Sequence, residues 1–138
     1  MLRSVEDRCN AIEECYEFML AYAAQGLPDD AGSPSGGQLR DLLQRAVEAL
    51  AGLAEGYRMA IQEAGLEPLE KYEAFLTVLE RDAADSRAAM ELVLAQPSLG
   101  SQLIDNLNAS IHVRAVLTDL FLIDEILKAH RIAGATAQ

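Results

Sequence analysis

Residues 38–64, QLRDLLQRAVEALAGLAEGYRMAIQEA, decide how the rest of the chain is read. Leu39, Leu42, Leu43, Ala46, Val47, Leu50, Leu53, Ala54, Tyr57 and Ile61 recur at steps of three and four. At 3.6 residues per turn these positions share one stripe, the pattern of an amphipathic α-helix. Ser35 and Gln38 have capping-box spacing and Gly65 supplies a stop, so the pattern predicts a helix over 36–64. Gly52 and Gly56 lie off the stripe, beside Ala49 and Ala60. Two interior glycines cost about 1 kcal/mol each relative to alanine, which a closely approaching neighbouring helix would offset.

Working outward, the same period recurs three more times. A helix over 5–25 has Ser4 as its N-cap and Gly26 as its stop, and turns Val5, Cys9, Ile12, Cys15, Tyr16, Met19, Tyr22 and Ala23 inward. Residues 26–37 are rich in Gly, Pro, Asp and Ser and read as a mobile loop. A third helix spans 68–95, opening on Pro68 and ending before Pro97. The interruption at 81–87 puts Asp82 and Ser86 on its inward arc. A fourth covers 101–130, and 132–138 reads as a disordered tail. Nothing alternates as a strand would, and two of the three connections are short. The expected fold is therefore all-α: a single-domain, up-down-up-down antiparallel four-helix bundle over 1–131.

Composition narrows the function classes. A chain of 138 residues is long enough to bury a core without metal or disulfide staples. The net charge of −11 repels phosphate backbones, and Lys and Arg are scattered rather than clustered, so no nucleic-acid partner is expected. Apolar runs are broken by charges well before the roughly 18 residues of a membrane span, and no basic amphipathic face is present, so no membrane partner is expected either. No secretory h-region stands at the N-terminus, which makes the cytoplasm the expected compartment. On one helix, Cys9 and Cys15 lie about 9 Å apart along the axis, too far for a disulfide. Free thiols suit a reducing cytoplasm.

The segment 101–130 carries a line of polar residues within its greasiest arc: Asp105, Asn108, His112 and Asp119 share it with Val116, Ile123 and Ile126. Burying an unpaired polar group costs a few kcal/mol, so these residues must satisfy one another, reach water or line a site. Height-matching of antiparallel helices gathers Asp82, Ser86, Tyr16 and Cys15 around His112 and Asn108, and puts Arg8 beside Asp119. One outcome is an internal hydrogen-bonded layer in which Arg8 neutralises Asp119. Another is solvent exposure of some members. A third is a small-ligand or metal site built on His112, Asp119, Asn108, Asp82, Ser86, Tyr16, Cys15 and Arg8. Neither histidine has a Glu three residues before it, which removes a ferritin-like di-iron centre. A mixed zinc set of Cys15, His112 and Asp82 and a thiol–imidazole pair of Cys15 and His112 rest on helix register alone. No cofactor or metal and no catalytic residue is therefore expected.

On the other side of the same segment, Leu103, Leu107, Leu117 and Phe121 form an apolar band that is either buried by the helix's own neighbours or covered by a second subunit, and the expectation is the second subunit. The functional expectation is a non-catalytic homodimer acting through protein–protein contacts as an adaptor, regulator or small chaperone. The alternative is a ligand- or metal-binding bundle, enzymatic or not, with a buried polar site around His112 and Asp119.

Overall fold

The computed structural model describes residues 4–135, with side chains as far as His130. Six α-helices follow one another: α1 (Val5–Ala24), α2 (Pro34–Ala51), α3 (Leu53–Ala64), α4 (Leu69–Leu94), α5 (Ser101–Ala109) and α6 (Ile111–Ala135). There is no strand among the described residues, so the chain is all-α. Among the described residues the helices number six rather than four because two of the expected helices are each broken once.

The first break falls at Gly52, between α2 and α3. Arg8 of α1 reaches across and donates from Nη1 to the carbonyl oxygens of Glu48 and Ala49, both at 3.0 Å. Carbonyls at a helix C-terminus lack intrahelical donors, and a cation there also suits the helix dipole. A Cβ on Gly52 would meet the Arg8 guanidinium at 2.7 Å, and one on Gly56 would meet Val5 Cγ2 at 2.7 Å. The small-residue groove seen in the sequence thus receives α1. Arg8, expected beside Asp119, is instead the cap of α2, because the carbonyls freed at the break offer it closer acceptors.

The second break is at Ser110, whose backbone is extended (φ −60°, ψ 133°). Its Oγ accepts from the backbone N–H of His112 at 3.2 Å, the N-cap bond of α6. The expected continuous helix over 101–130 therefore splits, since Ser110 satisfies a new helix start better than it continues an old one. α6 then runs to Ala135, so the first four residues of the expected tail are helical, and 136–138 lie outside the described residues. Gly65 ends α3 as anticipated, at φ 63°, with the Leu66 N–H reaching the Ile61 carbonyl at 3.2 Å.

Burial follows the stripes. Ile12, Cys15 and Met19 of α1, Leu39 and Leu43 of α2, Leu53 and Tyr57 of α3, Leu76, Leu79 and Met90 of α4, and Val116 and Leu120 of α6 are all enclosed in one core. α1 packs chiefly on α2 and α5, and α4 on α2, α3 and α6.

The two longer connections are tied to each other. Tyr22 Oη donates to the Leu99 carbonyl at 2.6 Å, and Ser101 Oγ donates to the Tyr22 carbonyl at 2.7 Å while accepting from the Leu27 N–H at 2.8 Å. Asp30 accepts from the Leu99 N–H at 2.7 Å and from Arg40 Nε at 2.5 Å. Arg40 also donates to the carbonyls of Leu94, Gln96 and Pro97 at the end of α4. Its guanidinium holds the Asp30 carboxyl well below the usual carboxylate range, with the Leu99 N–H adding to the effect. The stretch whose composition suggested mobility therefore carries hydrogen bonds to the α4–α5 connection, and helix α2 already begins within it at Pro34.

Candidate functional site

The polar residues picked out in the sequence do not converge on one point. Asp82 of α4 and Asp119 of α6 do meet. Burial first, then the hydrogen bond and charge of Asp82, push the Asp119 carboxyl up to about 7, so the pair holds one proton near neutrality. Tyr72 Oη and His130 Nε2 approach to 3.4 Å further along the same two helices. Both contacts set one antiparallel register, in which Ser86 is level with Ala115, one turn away from His112.

His112 stands exposed in the first turn of α6. The ring was expected in the layer, but the break at Ser110 turns this end of α6 outward. Cys15 is fully buried, and burial, followed by the charge of Glu14, pushes its thiol up to about 12. Such a thiol is inert at neutral pH, and with His112 at the surface neither the thiol–imidazole pair nor the mixed zinc set forms. Tyr16 is half-buried and packs against the core. Ser86 and Asn108 are buried, and among the described residues Ser86 Oγ, both side-chain polar atoms of Asn108 and Arg87 Nε find no hydrogen-bond partner. Asn108 and Asp119 are separated by eleven positions across the break at Ser110, on the order of 15 Å of helical rise. The interior polar groups are thus spread along α4, α5 and α6 rather than gathered. Among the described residues, no three His, Cys, Asp or Glu side chains come together in a way that could hold a metal ion.

The expected apolar band also divides. Leu107 and Leu117 are core residues, Leu103 is half-buried against the core, and Phe121 is 60% exposed. The split of the fourth helix rotates α5 and α6 relative to a single continuous rod, so the band does not persist as one face. On α6 the exposed large apolar side chains among the described residues are Ile111, Phe121, Leu122 and Ile126.

A larger feature escaped the sequence. The N-terminal half of α1, α3 from Tyr57 onward and the C-terminal half of α6 border a groove of about 1170 Å³. Its floor holds a short hydrogen-bonded chain. Tyr57 Oη donates to Asp124 Oδ1 at 2.6 Å, and Cys9 Sγ lies 3.0 Å from the same phenol oxygen. The phenol's single proton goes to Asp124, so its oxygen faces the thiol as an acceptor. Burial above all, then the bonds to Asp124 and Cys9, hold the Tyr57 hydroxyl far above the ordinary phenol range, and it stays neutral. Glu13 is pushed up by burial, by Asp124 and by Glu17. Val5, Ala60, Ala64, Leu66 and Leu127 make the apolar wall, with Glu6 and Glu125 at the rim and Lys128 and His130 toward one end. A signal did exist in the sequence: a tyrosine on an inward stripe needs a hydroxyl partner, and Asp124 stands next to Ile123 on the inward side of α6. Which helix supplies the partner depends on packing.

Compared with known proteins, the chain matches no family model, no curated protein and no solved structure. No helix among the described residues is long and apolar enough to cross a membrane.

Proposed function

We propose that this protein works by protein–protein contact rather than catalysis, as a homodimeric adaptor, regulator or small chaperone. Its architecture is an antiparallel four-helix arrangement in which α2–α3 and α5–α6 are broken rods. The reading rests on the outer face of α6, where Ile111, Phe121, Leu122 and Ile126 are 74%, 60%, 52% and 39% exposed. Large apolar side chains grouped in water, as Phe121, Leu122 and Ile126 are within two turns of α6, mark contact surfaces. The charge on this face supports a second copy as its occupant. Within a chain of net charge −11, α6 exposes Arg114, Glu125 and Lys128 among its described side chains, a nearly balanced set. Arg114, Thr118, Phe121 and Glu125 lie on one stripe, so a two-fold axis near residues 119–120 would set Arg114 opposite Glu125 of the partner subunit and Phe121 beside Thr118 of the partner subunit. Two buried thiols, Cys9 and Cys15, suit a reducing compartment such as the cytoplasm.

The test is mass in solution. Light scattering at micromolar concentration should return twice the chain mass for the wild type and the single chain mass for Phe121→Asp. A monomeric wild type, or a variant of unchanged mass, removes the interface. A second reading has its own observation, the partnerless buried polar atoms of Ser86 and Asn108, which suit a buried water or a small polar ligand. A metabolite that raises the Tm of wild type but not of Asn108→Leu would favour it.

A further inference from the structure

We propose that the groove between α1, α3 and α6 binds an elongated organic cation, a protonated amine on an apolar body about ten ångströms long. The groove meets the outer face of α6 only at its rim, at Glu125, and its floor of Cys9, Tyr57 and Asp124 takes no part in the proposed dimer contact.

Shape sets the body. Groove-lining residues of α1 run from Ser4 to Glu13, nine helical steps and about 13 Å. The volume of about 1170 Å³ is ample for a small molecule with some water beside it. Ala60 and Ala64 on α3 leave the space open, and Val5, Leu66 and Leu127 line it with apolar surface. A chain or ring system lying along this wall would remove apolar area from water on both partners.

Charge selects the head. Three carboxylates, Glu6, Glu13 and Asp124, line the groove, with Glu125 at the rim shared with the outer face of α6, against Lys128 and His130. The ion pairs of the described residues lie elsewhere, joining Arg40 to Asp30, Arg45 to Glu14, Arg58 to Glu55 and Glu73, and Arg87 to Glu91. Asp124 accepts a hydrogen bond from the Tyr57 hydroxyl on one oxygen, and a neutral donor brings no opposite charge to the carboxylate. Glu13 is half-buried nearby and repelled by the Asp124 charge. An ammonium between Asp124 and Glu13 relieves that repulsion and donates up to three hydrogen bonds. A carboxylate ligand of the same shape would add to it.

The experiment is an amide-resolved NMR titration of the full chain with octylammonium chloride, sodium octanoate and octanol, which share a body and differ in head charge. Octylammonium is expected to shift the amides around Glu13, Ala60 and Asp124, to bind more tightly than octanol, and to weaken as salt rises. Octanoate is expected to leave these amides unmoved. Glu13→Gln should weaken octylammonium roughly three- to tenfold, the loss of one half-buried charge partner. Ala60→Phe, a substitution at an exposed position, should abolish binding by filling the groove. Phe121→Asp should bind as the wild type does. Equal binding of the three probes, or tighter binding of octanoate, overturns the proposal. So do shifts confined to other faces, and so does movement of the groove amides on dilution alone, which would make the groove an interface between copies.

Discussion

Tyr57 shows how one side chain can join three helices. Its ring fills the core stripe of α3, while its hydroxyl, held between Cys9 of α1 and Asp124 of α6, is satisfied only because those helices converge there. Tyr57→Phe keeps the ring and leaves the Asp124 carboxylate without a buried donor. The expected loss is about 1–3 kcal/mol in urea denaturation, since an orphaned buried acceptor costs more than its hydrogen bond contributed. His112 is the counter-case. Its ring is at the surface, so His112→Ala should stay within about 0.5 kcal/mol of wild type in the same assay. A loss above about 1 kcal/mol there would mean the ring is buried in solution.

At the scale of the helix, both breaks have a local cause and a measurable consequence. Ser110→Ala removes the N-cap of α6 and should cost about 0.5–2 kcal/mol. Gly52→Ala sets two effects against each other. Alanine gains about 1 kcal/mol of helix propensity, yet its Cβ displaces the Arg8 guanidinium from two carbonyls, a loss of about 1–3 kcal/mol. The net change in wild type should be small or destabilising, whereas in an Arg8→Ala background the same substitution should stabilise by about 1 kcal/mol. Additive effects in this double-mutant cycle would show that Arg8 does not cap α2.

For the whole molecule, two carboxylates pull the pH dependence in opposite directions. Asp30 has a folded pKa below its ordinary 3.8, so it stabilises the protein above that value and the contribution is lost as pH falls below about 4. Asp119 has a folded pKa raised from 3.8 to about 7, so the folded state holds the extra proton between these values. Stability from that proton is fully present below about 4 and is lost as pH rises towards 7. Mutual repulsion within a chain of net charge −11 acts in the same sense. The Tm should therefore peak in mild acid, near pH 4–5, and decline towards pH 8. Asp119→Asn should flatten that decline without altering the acid limb, and an unchanged decline would show that Asp119 is not the group responsible.

Local pattern alone determined that this chain is helical, where α1 and α4 lie, and which faces of α1, α2 and α3 are enclosed. The 3.6-residue stripes of Leu39 to Ile61 and of Val5 to Ala23 depend on neighbours within one helix. Asp82 and Asp119 were likewise legible as inward-facing, and the two helices do bring them together. Packing decided the rest. Gly52 and Ser110 are compatible with continuous helices in sequence terms. They become breaks because Arg8 takes the carbonyls at one and the Ser110 hydroxyl takes an amide of α6 at the other. The break at Ser110 changes the phase of α6, which carried His112 to the surface and Leu117 into the core, while Leu107, ahead of the break, is buried where α5 packs on α1. The groove was invisible for the same reason. Val5, Tyr57 and Asp124 are distant in sequence, and the space between them exists only once three helices fail to close over two alanines.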